Sequence, residues 1–283
     1  MTLTTLVTAA QLAAQLDNPA WCVVDCRHDL FDHAFGRREY AKGHIEGAYF
    51  GDTEADFAGP KSGSNGRHPL PAREQVVELF RRWGMNNQTQ LVAYDAQGGQ
   101  FAVRLWWLAR WLGHSSVAVL DGGWQAWLTH GGRIGQALPQ RPTGSFEARA
   151  PLVRYVDACY VLAHLSDNRT TVLDARAPER YAGEQEPIDP VAGHIPGAVN
   201  RFWQANLADG KFKSAAELRA EFEVLLAGRA PADVVHQCGS GVTSCHNLLA
   251  MEVAGLPGGQ LYAGSWSEWV ADRARPVARG CNP

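Results

Sequence analysis

Short segments of this chain recur in the same order at a nearly constant distance. Val24-Asp25-Cys26-Arg27 answers Leu173-Asp174-Ala175-Arg176 at an offset of 149 residues (174 − 25), and His44-Ile45 answers His194-Ile195 at 150 (194 − 44). Trp124 answers Trp266 at 142 (266 − 124). A period of that size is too long for a solenoid and marks two tandem copies of one domain. The length of 283 residues points the same way. Between the copies, Leu138-Pro139-Gln140-Arg141-Pro142-Thr143-Gly144-Ser145 breaks the pattern with prolines, glycine and polar residues. The expected organisation is a domain over residues 1–137, a linker over 138–152 and a second domain over 153–283.

Each copy alternates strand-like and helix-like runs. In the first these are Val23 to Asp25, Gln75 to Trp83, Leu91 to Tyr94, Phe101 to Leu112 and Val117 to Leu120. Such alternation predicts an α/β fold in each copy, a parallel sheet with helices on both faces and reactive loops at the carboxyl ends of the strands. Trp106, Trp107 and Trp111 fall on one expected helix and read as core.

One loop carries chemistry. Ala232 to Val235 suits a buried strand and Cys245 to Ala254 a helix, so Cys238-Gly239-Ser240-Gly241-Val242-Thr243-Ser244 lies between them. Backbone N–H groups of such a loop converge as an anion cradle at a helix N-terminus. A thiol placed there is acidified, because the N–H groups and the helix dipole favour the thiolate. Cys238 is therefore expected to be a nucleophile. A cysteine phosphatase would need an arginine six positions after its nucleophile to clamp phosphoryl oxygens, and Ser244 stands there instead. The cradle suits a smaller passenger, such as the outer sulfur of a persulfide.

The loop Cys238-Gly239-Ser240-Gly241-Val242-Thr243 resembles the active-site loop of the rhodanese-type sulfurtransferases, and among them the 3-mercaptopyruvate branch. Further segments carry the resemblance along nearly the whole chain: Asp25-Cys26-Arg27, Gly43-His44-Ile45-Glu46-Gly47-Ala48, Asp121-Gly122-Gly123-Trp124, Asp174-Ala175-Arg176, Gly193-His194-Ile195-Pro196-Gly197-Ala198 and Gly264-Ser265-Trp266. The resemblance implies two tandem rhodanese-like domains. It also implies transfer of a sulfane sulfur from 3-mercaptopyruvate, or thiosulfate, through a Cys238 persulfide to an acceptor such as thioredoxin, a small thiol or cyanide.

The same resemblance implies roles for other residues. Ser240 matches a serine that helps move a proton; His68 is similar to a first-domain histidine of that relay, and Asp52 to its carboxylate. Arg180 matches an arginine that holds the donor's anionic group, which a planar guanidinium suits, and the loop residues Gly239, Gly241, Val242, Thr243 and Ser244 complete the donor site. Where the branch often carries a second arginine after Glu-Pro, this chain has Glu186-Pro187-Ile188, a departure that weakens the donor assignment and for which Arg67 is a candidate to compensate. Thiosulfate preference is the alternative reading.

The copies differ at the place of Cys238, where the first has Asp95 or Ala96, so the first domain is expected to be catalytically silent. Asp25 and Asp174 read as strand-end carboxylates held by Arg27 and Arg176. His44 and His194 recur in both copies although only one has the thiol, and read as packed turn residues.

The other cysteines, Cys22, Cys26, Cys159, Cys245 and Cys281, form no regular disulfide framework, and a nucleophilic thiol must stay reduced. A cytoplasmic location is the expectation. His236, Cys238, Cys245 and His246 include no Cys-x-x-Cys pair, so neither metal nor cofactor is expected. With 26 basic against 29 acidic residues and a formal charge of −3, nothing favours nucleic acid or membrane. Leu6 to Leu16 lacks a cationic lead and reads as a first helix rather than a signal peptide. A non-catalytic rhodanese-like binding module would fit the first copy but leave the Cys238 loop unexplained.

Overall fold

The computed structural model describes residues 2–167 and 170–282. Contacts divide them into two compact units. The first holds the chain up to Gly59, Pro71–Leu152 and Asp209–Phe212; the second holds Pro60–Leu70, Val153–Ala208 and the chain from Lys213 on.

In the first unit the strands lie in the order Leu6–Val7, Val117–Leu120, Gln90–Tyr94, Trp21–Asp25, Tyr49–Phe50, all parallel. In the second the order is Arg154–Val156, Gln260–Tyr262, Val234–Gln237, Thr171–Asp174, Val199–Asn200, again parallel throughout. The two orders correspond strand for strand, and helices flank each sheet, so the α/β fold in two copies stands. The central strands Gln90–Tyr94 and Val234–Gln237 are buried along their whole length, and the apolar runs at Leu91 to Tyr94 and Val234-Val235 fall on them.

Helix Ala102–Trp111 buries Trp106, Trp107 and Trp111, and helix Ser244–Val253 buries Ser244 through Met251. Each large apolar side chain removed from water contributes about 1.5–3 kcal/mol, so these helices are fixed by packing more than by propensity.

One expectation needs adjustment. Leu6 to Leu16 does not form one helix: Leu6–Val7 is an edge strand against Val119 and Leu120, and Thr8 caps a short helix over Ala9–Ala13 through a hydrogen bond from the Gln11 N–H. The β-strand and the capping box divide the segment. Residues 138–152, expected as a linker, cluster with the first unit. There the Gly144 N–H donates to Arg81 O at 2.8 Å, the Arg149 N–H donates to Leu112 O at 2.8 Å, and Phe146 is fully buried.

The repeat extends to side chains. Arg27 binds Asp25 and the Gly43 carbonyl and lies 4.6 Å over Trp124; Arg176 binds Asp174 and the Gly193 carbonyl and lies 4.6 Å over Trp266. His44 stacks on Tyr40 with Nδ1 at Tyr40 O, and His194 stacks on Tyr181 with Nδ1 at Tyr181 O. These recurring groups hold turns, as their presence in both copies implied.

Candidate active site

Strand Val234–Gln237 delivers Cys238 to the mouth of a loop that ends in helix Ser244–Val253. Gly241 adopts φ +80°, and a Cβ there would come within 2.1 Å of the Ala263 carbonyl oxygen, so the turn demands glycine. That turn folds the loop back over its own cysteine. The Gly241 N–H points at Cys238 Sγ at 3.2 Å. Cys238 itself is 2% exposed, and its own N–H is held by the Ser265 hydroxyl at 3.1 Å.

The electrostatic balance is a contest. Burial pushes the thiol toward its neutral form, while the Thr243 hydroxyl and the N–H groups of Ser240 and Ser244 favour the thiolate. The donors win, and the Cys238 pKa lies below its ordinary value.

Ser240, also in the loop, has its hydroxyl 2.7 Å from His68 Nδ1, and both side chains are buried. His68 was expected from the first domain. Its segment, Pro60–Leu70, instead clusters with the second unit, because Gly66 packs on the Gly264 carbonyl and the Arg67 N–H donates to Ser267 Oγ at 3.0 Å. Asp52 lies in the first unit, where its carboxylate takes Arg37 at 3.2 Å and the Glu54 N–H at 3.0 Å.

Arg180 borders the residue next to Cys238: its Nη1 lies 3.5 Å from where a Cβ on Gly239 would stand. Glu186 aligns it through Nε at 3.2 Å and Nη2 at 2.7 Å. Arg176 binds Asp174 and reaches Glu186 at 3.4 Å, so the motif arginine steadies the carboxylate that steadies Arg180. Gly239, Gly241, Val242, Thr243 and Ser244 all stand in the loop or at the start of the helix.

Three groups escaped the sequence reading. Asp189 binds both Arg67 and Arg180. Glu186 serves as the aligning carboxylate rather than as a marker of a missing arginine. Ser265 fixes the cysteine backbone, and its own φ of +53° sets the pose of that hydroxyl. Only the Gly-Ser-Trp segment, repeated as Gly-Gly-Trp in the first copy, hinted at Ser265.

The first unit has a parallel loop with a different occupant. The Trp124 N–H donates to Asp95 O at 2.7 Å, as the Trp266 N–H donates to Cys238 O at 3.0 Å, which identifies Asp95 as the counterpart of Cys238. The Asp95 carboxylate, fully buried, accepts the N–H groups of Gln97, Gly99, Phe101 and Ala102 at 2.8 to 2.9 Å. That cradle is filled from within.

All six cysteines are free thiols. Among the described residues, His28, His33 and Glu54 of the first unit bring ligand atoms within 4.8 Å of one another. No helix among them is long and apolar enough to cross a membrane.

Comparison with known proteins gives a consistent picture. The pattern described as a rhodanese-like domain matches residues 8–130 and again 157–272. Over 278 residues the chain is 45% identical to the "Probable 3-mercaptopyruvate sulfurtransferase" of Pseudomonas aeruginosa, covering 97% of this chain and 98% of that one. Over 250 residues it is 37% identical to the thiosulfate sulfurtransferase of Bos taurus, covering 85% and 81%. The crystal structure of SseA from Escherichia coli, described for the "Rhodanese" fold of 3-mercaptopyruvate sulfotransferases, matches with a TM-score of 0.80 at 31% identity, covering 93% of this chain and 99% of that one.

Proposed function

The chain belongs to the rhodanese-like sulfurtransferases, and from that premise we propose that it moves sulfur from 3-mercaptopyruvate through a persulfide on Cys238. The observation that carries this reading is the buried Cys238 thiol held by loop donors that lower its pKa. Ser244 stands where a phosphate-clamping arginine would, which favours a sulfur passenger over a phosphoryl group.

In the proposed reaction the Cys238 thiolate attacks the donor sulfur, the donor's C–S bond breaks, and an S–S bond forms on Cys238. The electron pair of the broken bond leaves on the methylene carbon of pyruvate enolate. That carbon needs a proton and the transferred sulfur loses one, so a relay must carry it. Ser240, with His68 at 2.7 Å, is the group we assign to this transfer. Arg180 holds the donor's carboxylate. In the second half-reaction an acceptor thiolate, or cyanide, attacks the outer sulfur and Cys238 leaves as thiolate.

The persulfide requires a thiol kept reduced, which supports the cytoplasmic setting expected from cysteine usage. Thiosulfate is a second reading, favoured by Ile188 and by the likeness to the bovine thiosulfate enzyme. Mass spectrometry of the Cys238 peptide after mixing with each donor, without acceptor, tests the proposal. One added sulfur on Cys238 is expected, with kcat/KM higher for mercaptopyruvate. Intersecting double-reciprocal plots without added sulfur would remove the covalent route, and a clear thiosulfate advantage would remove the donor assignment.

A further inference from the structure

The carboxyl-terminal edge of the first sheet carries a group of side chains that sulfur transfer does not use. We propose that His28, His33 and Glu54 form a binding site for a borderline divalent metal ion, with Zn²⁺ as its representative.

Two neighbouring strands deliver the group. Trp21–Asp25 and Tyr49–Phe50 run parallel with Asp25 beside Phe50, and His28 and Glu54 follow their ends by three and four residues. Ligands of open α/β sheets collect at this edge, the one that in the second unit carries Cys238. His28 is 3% exposed, its ring lies edge-on to Phe101 with centroids 4.9 Å apart, and its carbonyl accepts from Gln97 Nε2 at 2.9 Å. The Asp29 carboxylate holds the turn that follows by accepting the N–H groups of Phe31 and Asp32 at 2.8 and 3.0 Å. That turn brings the His33 ring to 5.9 Å from the His28 ring. The Glu54 N–H donates to Asp52 Oδ1 at 3.0 Å, and the Glu54 carboxylate lies 3.6 Å from His33 Nδ1. One ligand atom from each of the three residues lies within 4.8 Å of the other two.

Tetrahedral zinc holds its ligand atoms roughly 3.3 Å apart, so the triangle must contract by about 1.5 Å at its widest. His33 can make that movement, since its side chain is 62% exposed, while His28 stays fixed in the core. Two imidazoles with one carboxylate suit Zn²⁺ or a neighbour in the first transition row better than Mg²⁺ or Ca²⁺, which take oxygen donors.

The two copies separate this group from the residues that hold the fold. Arg27-His28 answers Arg176-Ala177, and the residue four positions after strand Tyr49–Phe50 is Glu54 whereas four after Val199–Asn200 stands Gln204. Between Arg27 and Tyr40 the chain advances 13 positions (40 − 27), against 5 between Arg176 and Tyr181 (181 − 176), and His33 lies in the longer segment. Turn-holding residues such as His44 and His194 recur. These three do not, so the packing of the shared fold does not require them.

The test titrates the full chain with Zn²⁺ and with Mg²⁺ by calorimetry, beside His33→Asn and Glu54→Gln, after iodoacetamide has blocked accessible thiols that would compete for metal. One Zn²⁺ per chain is expected. Affinity should fall about tenfold or more in each variant, since losing even a partner of a metal ligand costs that much, and Mg²⁺ uptake should be far weaker. A second readout needs no variant: the imidazole nitrogen NMR signals of His28 and His33 in the parent are expected to shift together over the first equivalent of Zn²⁺. A parent that takes up no Zn²⁺, variants that bind it as the parent does, or rings left unshifted would each overturn the proposal and reduce His33 and Glu54 to an ion pair. Mg²⁺ bound as tightly as Zn²⁺ would overturn it as well.

Discussion

Ser240 Oγ and His68 Nδ1 stand 2.7 Å apart although 172 positions separate them in sequence, and both side chains are buried. A hydroxyl so placed can pass a proton in either direction. Only mercaptopyruvate needs that service, because its leaving carbon must be protonated, whereas sulfite departs from thiosulfate without one. Ser240→Ala and His68→Ala are therefore expected to lower kcat for mercaptopyruvate by about 100-fold or more, and to alter thiosulfate turnover only slightly. Equal losses with the two donors would remove the relay.

The pH dependence of Cys238 follows from the sign of its shift. Because loop donors hold the thiol pKa below its ordinary value, the alkylation rate of Cys238 should reach half its maximum at lower pH than that of a free cysteine in a small peptide. Thr243→Val deletes a donor to the thiolate, moves the midpoint upward and slows alkylation at neutral pH several-fold. A midpoint unmoved by Thr243→Val would show that the hydroxyl does not stabilise the charge.

Asp95 should matter for stability rather than turnover. Four N–H groups converge on its buried carboxylate, and Asp95→Ala would leave them without an acceptor. The expected cost is roughly 3 kcal/mol or more in urea unfolding, with Cys238 alkylation kept in the folded fraction. A variant as stable as the parent would mean that the first-unit loop does not depend on this anion.

His236 gives an acid limb. It is fully buried on the strand before Cys238, neither ring nitrogen has a hydrogen-bond partner, and burial pushes its pKa down to about 3. The unfolded chain, with an ordinary histidine near 6.5, binds the proton first. Stability is therefore intact above pH 6.5 and falls as pH drops toward 3, by on the order of 1 kcal/mol per pH unit. His236→Leu should lose less stability than the parent between pH 7 and pH 5. Parallel pH curves for the two proteins would refute this origin.

Much of this was legible before any coordinates. The offsets between Asp25 and Asp174 and between His44 and His194 announced a doubled domain, and the apolar runs at Leu91 to Tyr94 and Val234 to Val235 announced central strands. They were readable because burial on both faces leaves an uninterrupted apolar signature, and because duplication preserves the Asp-x-Arg and Gly-His-Ile motifs in register. The Cys238 loop was readable for a related reason: glycines at 239 and 241 mark a backbone that must turn tightly around something small.

Other features had no local signature. That Asp95, and not Ala96, stands in the place of Cys238 emerged only from the matching Trp124 and Trp266 hydrogen bonds. Asp189 reads in sequence as one more acidic residue near a proline, and its bridging of Arg67 and Arg180 depends on where two distant segments meet.

The sequence by itself determined the doubled α/β architecture and singled out Cys238 as the candidate nucleophile, since both are written in periodicity and in residues that lie next to one another along the chain. Tertiary structure alone decided that the strap at Pro60–Leu70 joins the second unit and brings Arg67 and His68 to the Cys238 loop. The physical reason is that hydrogen bonds and ion pairs act over a few ångströms of space. Which residues come within that reach is set by how the strap packs on Gly264 and Ser267, and spacing along the chain carries no record of it.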